Sequence, residues 1–170
     1  MLKTTTHTHP LSHLYRNAMS NVAASVHVVT TDGPAGSYGI TMTAVTSVTD
    51  DPPTLILCIN RHAAIQPILR ANAHLCVNVL AAHQRDVAEH FAGITHLDSA
   101  TRFRQHNWQP GPSGQPQVTG ALAHLSGHIV EHKDLGSHTV FYVLIEHIQV
   151  TDTTEPALLY YRRHFTHSAI

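Results

Sequence analysis

Strand-like runs of β-branched, alternating or continuously apolar residues recur along this chain, and the pattern predicts strands more often than helices. Residues 26–31 (VHVVTT) are rich in β-branched side chains and read as a strand, followed by turn chemistry in DGPAGS. One strand is expected from Tyr38 to Thr49, with Thr41, Thr43, Ser47 and Thr49 on one face and Ile40, Met42, Ala44 and Val48 on the other. Asp50-Asp51-Pro52-Pro53 makes a turn, and Thr54–Ile59 is apolar on both faces, as a central strand would be. Leu75–Leu80 is a further strand. Two long strands, Ala121–His132 and His138–Val150, joined by Lys133–Ser137, should form a hairpin, and Leu158–Tyr161 a last short strand.

Helical spacing is confined to three places. Ser12 can cap a helix to Asn21 with Leu11, Leu14, Ala18 and Val22 on one face. Asn60 can cap a second from Ala63 to Ala71, and Gln84–Phe91 reads as a third that ends at Gly93. Residues 94–117 look like a long excursion with little regular structure. Many strands, few helices and mostly tight connections predict a mainly β fold, one small Greek-key-like antiparallel barrel over residues 11–170, behind a disordered tail of residues 1–10. From Val140 to Ile145 both strand faces are apolar. One can line a barrel, and the other needs a helix or a second subunit over it.

Composition sharpens this picture only in places. Charged residues are 12% of the chain, about half the usual share, which fits either a self-associating surface or polarity supplied by histidine and threonine. The net charge is -1 and no basic stripe exists, which argues against a nucleic-acid partner. Apolar runs are far shorter than the roughly 20 residues that span a bilayer, and MLKTTTHTHP lacks the apolar stretch of a secretory signal. Cys58 and Cys76 lie in strand-like runs without metal or redox spacing, so a cytoplasmic chain with two buried thiols is expected.

The 17 histidines invite a metal reading that spacing opposes. His124, His128 and His132 would share one strand face with successive members about 13 Å apart, whereas zinc nitrogens sit about 2 Å from one ion. A polar face turned to water is expected instead. The pair His7 and His9, and the pair His164 and His167, read as incidental. No dinucleotide fingerprint, P-loop or nucleophile elbow is present. Two features could hold an anionic cofactor: the run Thr43-Ala44-Val45-Thr46-Ser47, and Asn60-Arg61-His62 at an expected helix start. Taken alone, the first reads better as an ordinary Thr-rich strand and the second as a simple capped helix with a solvated Arg61.

The run Ser37–Pro53 (SYGITMTAVTSVTDDPP) resembles the signature of the short-chain flavin reductases. LCVNV at Leu75–Val79, HFAG at His90–Gly93, GSH at Gly136–His138 and LYYR at Leu159–Arg162 recur in the family's order. Within that family the pattern is most similar to reductases serving 4-hydroxyphenylacetate 3-monooxygenase, with those serving pyrimidine-ring oxygenation as the alternative. The resemblance implies a split β-barrel, a homodimer, and reduction of FMN or FAD by NADH or NADPH. It implies release of the reduced flavin to a separate monooxygenase. Flavin contacts are then expected at Thr43, Ala44, Val45, Thr46, Ser47, Cys58, Ile59, Asn60, Arg61, Ala64 and Phe91. Gly136, Ser137 and His138 would face the nicotinamide. Relatives often carry a hydroxyl where this chain has Ala63 and Ala64, which leaves the phosphate to Arg61 and backbone N–H groups. No acid–base residue is required, since the cofactors carry the hydride. A non-catalytic flavin- or haem-binding barrel is the competing function.

Overall fold

A computed structural model describes residues 9–169. The expected tail falls mostly outside them, as does His7. Twelve strands and four α-helices are described. They are α1 (Ser12–Met19), β1 (Ala24–Ser25), β2 (His27–Thr31), β3 (Tyr38–Met42), β4 (Val45–Asp50), β5 (Pro53–Asn60), α2 (Ile65–Asn72), β6 (His74–Val79) and α3 (Arg85–Phe91). After these come α4 (Ser99–Arg104), β7 (Trp108–Pro110), β8 (Pro116–Val118), β9 (Ala123–Leu135), β10 (His138–Val150), β11 (Leu158–Tyr161) and β12 (His164–His167).

Seven strands form one antiparallel sheet in the order β3-β2-β6-β9-β10-β5-β4. Its two edges, β3 and β4, are consecutive in the chain yet not paired with each other. The sheet curls around a core of Val29, Leu55, Leu57, Ile59, Leu75, Val77, Phe141, Val143 and Ile145, and Ile65 and Leu69 of α2 join that core. The architecture is a split barrel. The expected single strand over residues 38–49 is broken at Thr43 and Ala44, where the Val45 N–H donates to the Thr43 carbonyl at 2.9 Å. Hydroxyls fall on the same parity on both sides of the kink, at Thr41, Thr43, Ser47 and Thr49, which masks it in the sequence.

A second core lies outside the barrel, where Val26, Val28, Leu80, Val87, Ala88, Phe91, Val118 and Leu158 meet. Strand β2 is therefore buried on both faces. Gly39 permits the approach of α3: a Cβ there would stand 2.7 Å from the Phe91 ring. The excursion over residues 94–117 is more ordered than its sequence suggests. Asp98 caps α4 by accepting the Thr101 N–H at 2.9 Å, and β7 pairs with β8. Phe103 and Trp108 lie edge-on to Phe91 with centroids 5.0 and 5.4 Å away. Segments of three to six residues carry too little periodicity to read, and packing on Phe91 fixes them.

Strand β12 is a further addition. It pairs with β11 across a turn in which Arg162 and Arg163 have φ of 48° and 66°. Two successive left-handed non-glycine residues cost roughly 1–2 kcal/mol each. Hairpin turns of this shape normally carry Asn-Gly, so Arg-Arg gives no turn signal. The turn is tied to α1 and the residues after it: the Arg162 N–H donates to the Ser20 carbonyl at 2.7 Å and its Nε to Asn21 Oδ1 at 3.0 Å. The β9–β10 hairpin runs as expected but with a shorter connection, Gly136-Ser137. Irregularities near Tyr142 and between Ile145 and His147 shift its register.

One histidine expectation is corrected. His124 is not turned to water: it is 3% exposed, with Nε2 3.0 Å from the Val118 carbonyl oxygen. The β7–β8 hairpin, invisible in the sequence, covers it. His132 is exposed as expected. On β10, Phe141, Val143 and Ile145 point into the barrel, while Val140, Tyr142 and Leu144 are half-buried on the outer face. Helices α2 and α3 pack on β2, β3 and β6, leaving that outer face to other cover. Among the described residues no helix is long and apolar enough to cross a membrane.

Candidate active site

The break between β3 and β4 opens a groove of about 840 Å³. Its floor is Thr43, Ala44, Val45 and Thr46 with Ile56 and Cys58 of the neighbouring strand. Its other wall is Tyr15, Arg16 and Met19 of α1, with Tyr160 and Arg163 of the last hairpin. Strand alternation explains the floor. Leu55, Leu57 and Ile59 fill the barrel, so Ile56, Cys58 and Asn60 must face outward. The size lies within the range of small-molecule sites.

Thr43, Ala44, Val45, Thr46 and Cys58 are thus brought together. Ser47 lines an adjoining cavity of about 330 Å³ with Thr46 and His27. Ile59 points into the barrel core at 2% exposure, so only its backbone is available to a ligand. Phe91, expected beside the cofactor, is 2% exposed in the second core and lines neither groove nor side cavity. Its near neighbours Glu89 and Ala92 face a second cavity of about 520 Å³, which shares Thr43, Tyr160 and Arg163 with the groove.

The remaining expected residues form a second cluster, two positions along the strands from Cys58. His138 pairs with Asn60, and the Arg61 N–H donates to the Ser137 carbonyl at 2.9 Å. The Arg61 guanidinium reaches the Gly136 carbonyl at 3.4 Å and the Asp134 carboxylate at 3.7 Å. Thr139 donates to Asp134 at 2.6 Å. That bond and the nearby Arg61 and Arg70 hold the Asp134 carboxyl below its ordinary pKa. Ser137 Oγ lies 2.8 Å from His138 Nδ1.

The expected helix start at Asn60 is corrected. Helix α2 begins at Ile65 after Ala64, and Asn60 ends β5. The Asn60 side chain accepts the His62 N–H at 2.9 Å in a local turn, and its carbonyl accepts the Ala63 N–H at 3.0 Å. The backbone N–H groups of residues 61–63 are therefore already engaged, and the anion-binding capacity of this corner rests on the Arg61 side chain.

Sequence reasoning did not assign the far wall, Tyr15, Arg16, Met19, Tyr160 and Arg163, or His27. Burial holds His27 below the ordinary histidine pKa, against a backbone contact with Met42. Its ring is therefore neutral near pH 7, and its Nδ1 is buried without a partner. The charges lining the groove are Arg16 and Arg163, with no carboxylate among its lining residues. In a chain of net charge -1, that is a wall suited to an anionic aromatic ligand. Hydroxyls at Thr43 and Thr46 and an apolar floor fit a flavin ring with a polar edge. No group of three or more ligating side chains suited to a metal occurs among the described residues.

The Flavin reductase like domain model matches residues 19–169. The chain belongs to the flavin reductase family. It is 47% identical to the 4-hydroxyphenylacetate 3-monooxygenase reductase component of Pseudomonas aeruginosa, over 92% of this chain and 91% of that protein. It is 42% identical to the FMN reductase (NADH) RutF of Stutzerimonas stutzeri, over 89% of this chain and 85% of that protein. The fold superposes with a TM-score of 0.85 on the NADH:FAD oxidoreductase SgcE6 of Streptomyces globisporus, solved with NAD and FAD fragments. That match has 29% identity and covers 95% of this chain and 96% of the other. For a flavin reductase, the chemistry needs two rings held in contact and shielded from water, and the groove offers a surface on which to hold them.

Proposed function

We propose that this flavin reductase uses NADH to reduce FMN or FAD and releases the reduced flavin to a separate monooxygenase, with 4-hydroxyphenylacetate hydroxylation as the reaction served. The observation that carries the reading is the groove at the barrel split, lined by Thr43–Thr46 and Cys58 within a nearly full-length family match. The name of the 47% identical relative supports the choice of partner.

In this reading the isoalloxazine ring lies on Thr43–Thr46, Ile56 and Cys58, and Arg61 takes the flavin phosphate. The Gly136-Ser137-His138 turn, two residues along β10 from the position opposite Cys58, flanks the nicotinamide. Ala44 and Thr46 on the groove floor are exposed to solvent, which suits a flavin that enters and leaves at each turnover. The protein supplies alignment, and hydride passes from the nicotinamide to flavin N5. A homodimer belongs to the same reading. Val140, Tyr142 and Leu144 make an apolar outer face beside the groove, and exposed Leu14, Tyr15 and Met19 on α1 extend the uncovered surface.

The test is differential binding. Arg61→Ala should weaken FMN binding about tenfold, the loss of one charge-assisted contact, while riboflavin binding stays within about twofold. Fluorescence titration reads both. Equal losses for the two ligands, or none for either, would remove the phosphate from this corner.

A further inference from the structure

The Arg162-Arg163 turn is the most strained backbone in the described residues that also reaches the groove. Both residues are left-handed without being glycine. The chain nevertheless fixes this turn firmly. Arg162 is bonded to Ser20 and Asn21, and an Arg163 guanidinium nitrogen donates to Asn17 Oδ1 on α1. Arg163 lines both the groove and the 520 Å³ cavity beside it. In that cavity Glu89 is paired with Arg85 at 2.8 Å, so the acid nearest to Arg163 among the lining residues is already neutralised. Asn17 offers only a neutral oxygen. The guanidinium thus enters the groove without a carboxylate partner of its own among the described residues. Strain kept at a ligand-lining cation is a reason to look for a role in the chemistry.

The geometry points to Arg163 as the cation that stabilises the reduced flavin anion, a role distinct from gripping the phosphate. The inference rests on the reading that the groove takes the isoalloxazine ring. The redistribution of charge in the hydride transfer gives such a group a use. The C4–H bond of the dihydronicotinamide breaks with both electrons, and an N5–H bond forms. The nicotinamide becomes cationic, and the neutral oxidised ring becomes an anion with its charge over N1 and the C2 carbonyl. A cation aimed at that edge interacts weakly with the oxidised ring and strongly with the reduced one. Stabilisation confined to the charged product and the transition state leading to it is what lowers the barrier. His27, the one histidine among the groove's lining residues, is neutral and adds no charge. Arg16 sits on α1, and its side chain has no hydrogen-bond partner among the described residues. Arg163 is the cation that is held in place.

The experiment compares two redox states of one ligand. Oxidised FMN is titrated by fluorescence quenching, and dithionite-reduced FMN is titrated without oxygen by absorbance. Arg163→Gln and Arg163→Gly should each weaken reduced FMN about tenfold and oxidised FMN less than about twofold, and Arg163→Lys should recover part of the difference. In the glutamine variant the absorbance change that marks N1 protonation of bound reduced flavin should move up by about one pH unit. Arg163→Gly relieves the strained φ, so it should melt no lower than the parent, which separates lost chemistry from lost folding. Riboflavin should show the same redox contrast as FMN. A loss seen with FMN alone and equal in both redox states would make Arg163 a phosphate ligand and overturn the proposal, as would equal affinity losses in both states for both flavins. Ala44→Trp, which fills the exposed floor, tests the underlying site. If flavin binding survives it undiminished, the groove reading itself fails. If binding is lost while Arg163→Gln leaves the redox contrast intact, only the role of Arg163 fails.

Discussion

Gly127 lies in β9 between β6 and β10, opposite Ile145 and beside the bulge that carries Glu146. A Cβ placed there would stand 2.0 Å from the Leu144 carbonyl oxygen, 2.8 Å from its carbon and 2.9 Å from the Ile145 Cα. All three are backbone atoms of a central strand, so no side chain can swing aside. Restoring a tolerable 3.0 Å means parting β9 from β10 by about 1 Å. Overpacking of this kind costs about 1–3 kcal/mol, and two weakened ladder bonds add about 1 kcal/mol each, giving roughly 3–5 kcal/mol for Gly127→Ala. For a domain of this size each kcal/mol lowers Tm by about 2–4 °C, so a fall of about 10 °C is expected. Circular dichroism melts at one fixed protein concentration would measure it. Gly114→Ala is the control: its φ is +86° but no atom lies within 4 Å of the added carbon, so it carries conformational strain alone and should lose only about 2–4 °C. If Gly127→Ala melts within about 3 °C of the parent, or no lower than Gly114→Ala, the close approach of β9 and β10 is not what this glycine serves.

Tyr142→Glu places a carboxylate at the centre of the uncovered β10 face, and sedimentation should find a dimeric parent and a monomeric variant; a parent that is monomeric at micromolar concentration would dismiss the interface. His138→Ala should lower kcat/KM for NADH by about tenfold, near 1.4 kcal/mol, with flavin affinity nearly unchanged; stopped-flow reduction rates that match the parent at every NADH concentration would take His138 out of the site. Burial lowers the pKa of His27, His106 and His124, so below the ordinary value of 6.5 the unfolded chain binds more protons than the folded one. Stability should therefore be full above about pH 6.5 and decline as pH falls through the lowered folded values, and His124→Gln should flatten the dependence of Tm on pH between 7 and 5; a Tm that rises on acidification would reverse the assignment.

The strand-like runs of β-branched and apolar residues determined the strand-rich class and the β9–β10 hairpin, because such segments have few other ways to bury their faces. The family resemblance, not the alternation, marked Thr43–Thr46, Cys58 and the Gly136–His138 turn, and only the fold brings the first two onto one groove and the turn beside Asn60. Local spacing did not reveal the kink at Thr43-Ala44, since hydroxyls return to the same parity beyond it at Ser47 and Thr49, and the split is created only when β3 and β4 part around the barrel. Nor could it show that Asn60 closes a strand, because its capping side chain serves a local turn as readily as a helix. Phe91 left the expected site for the core because Gly39, 52 residues away, lets α3 sink against β3. Arg163 reached the groove through a turn whose sequence carries no turn signal, held by bonds to α1 from the other end of the chain. Such placements depend on contacts distant in sequence, so tertiary packing decided where the charge of the site sits, while the pattern of the chain decided the strands that frame it.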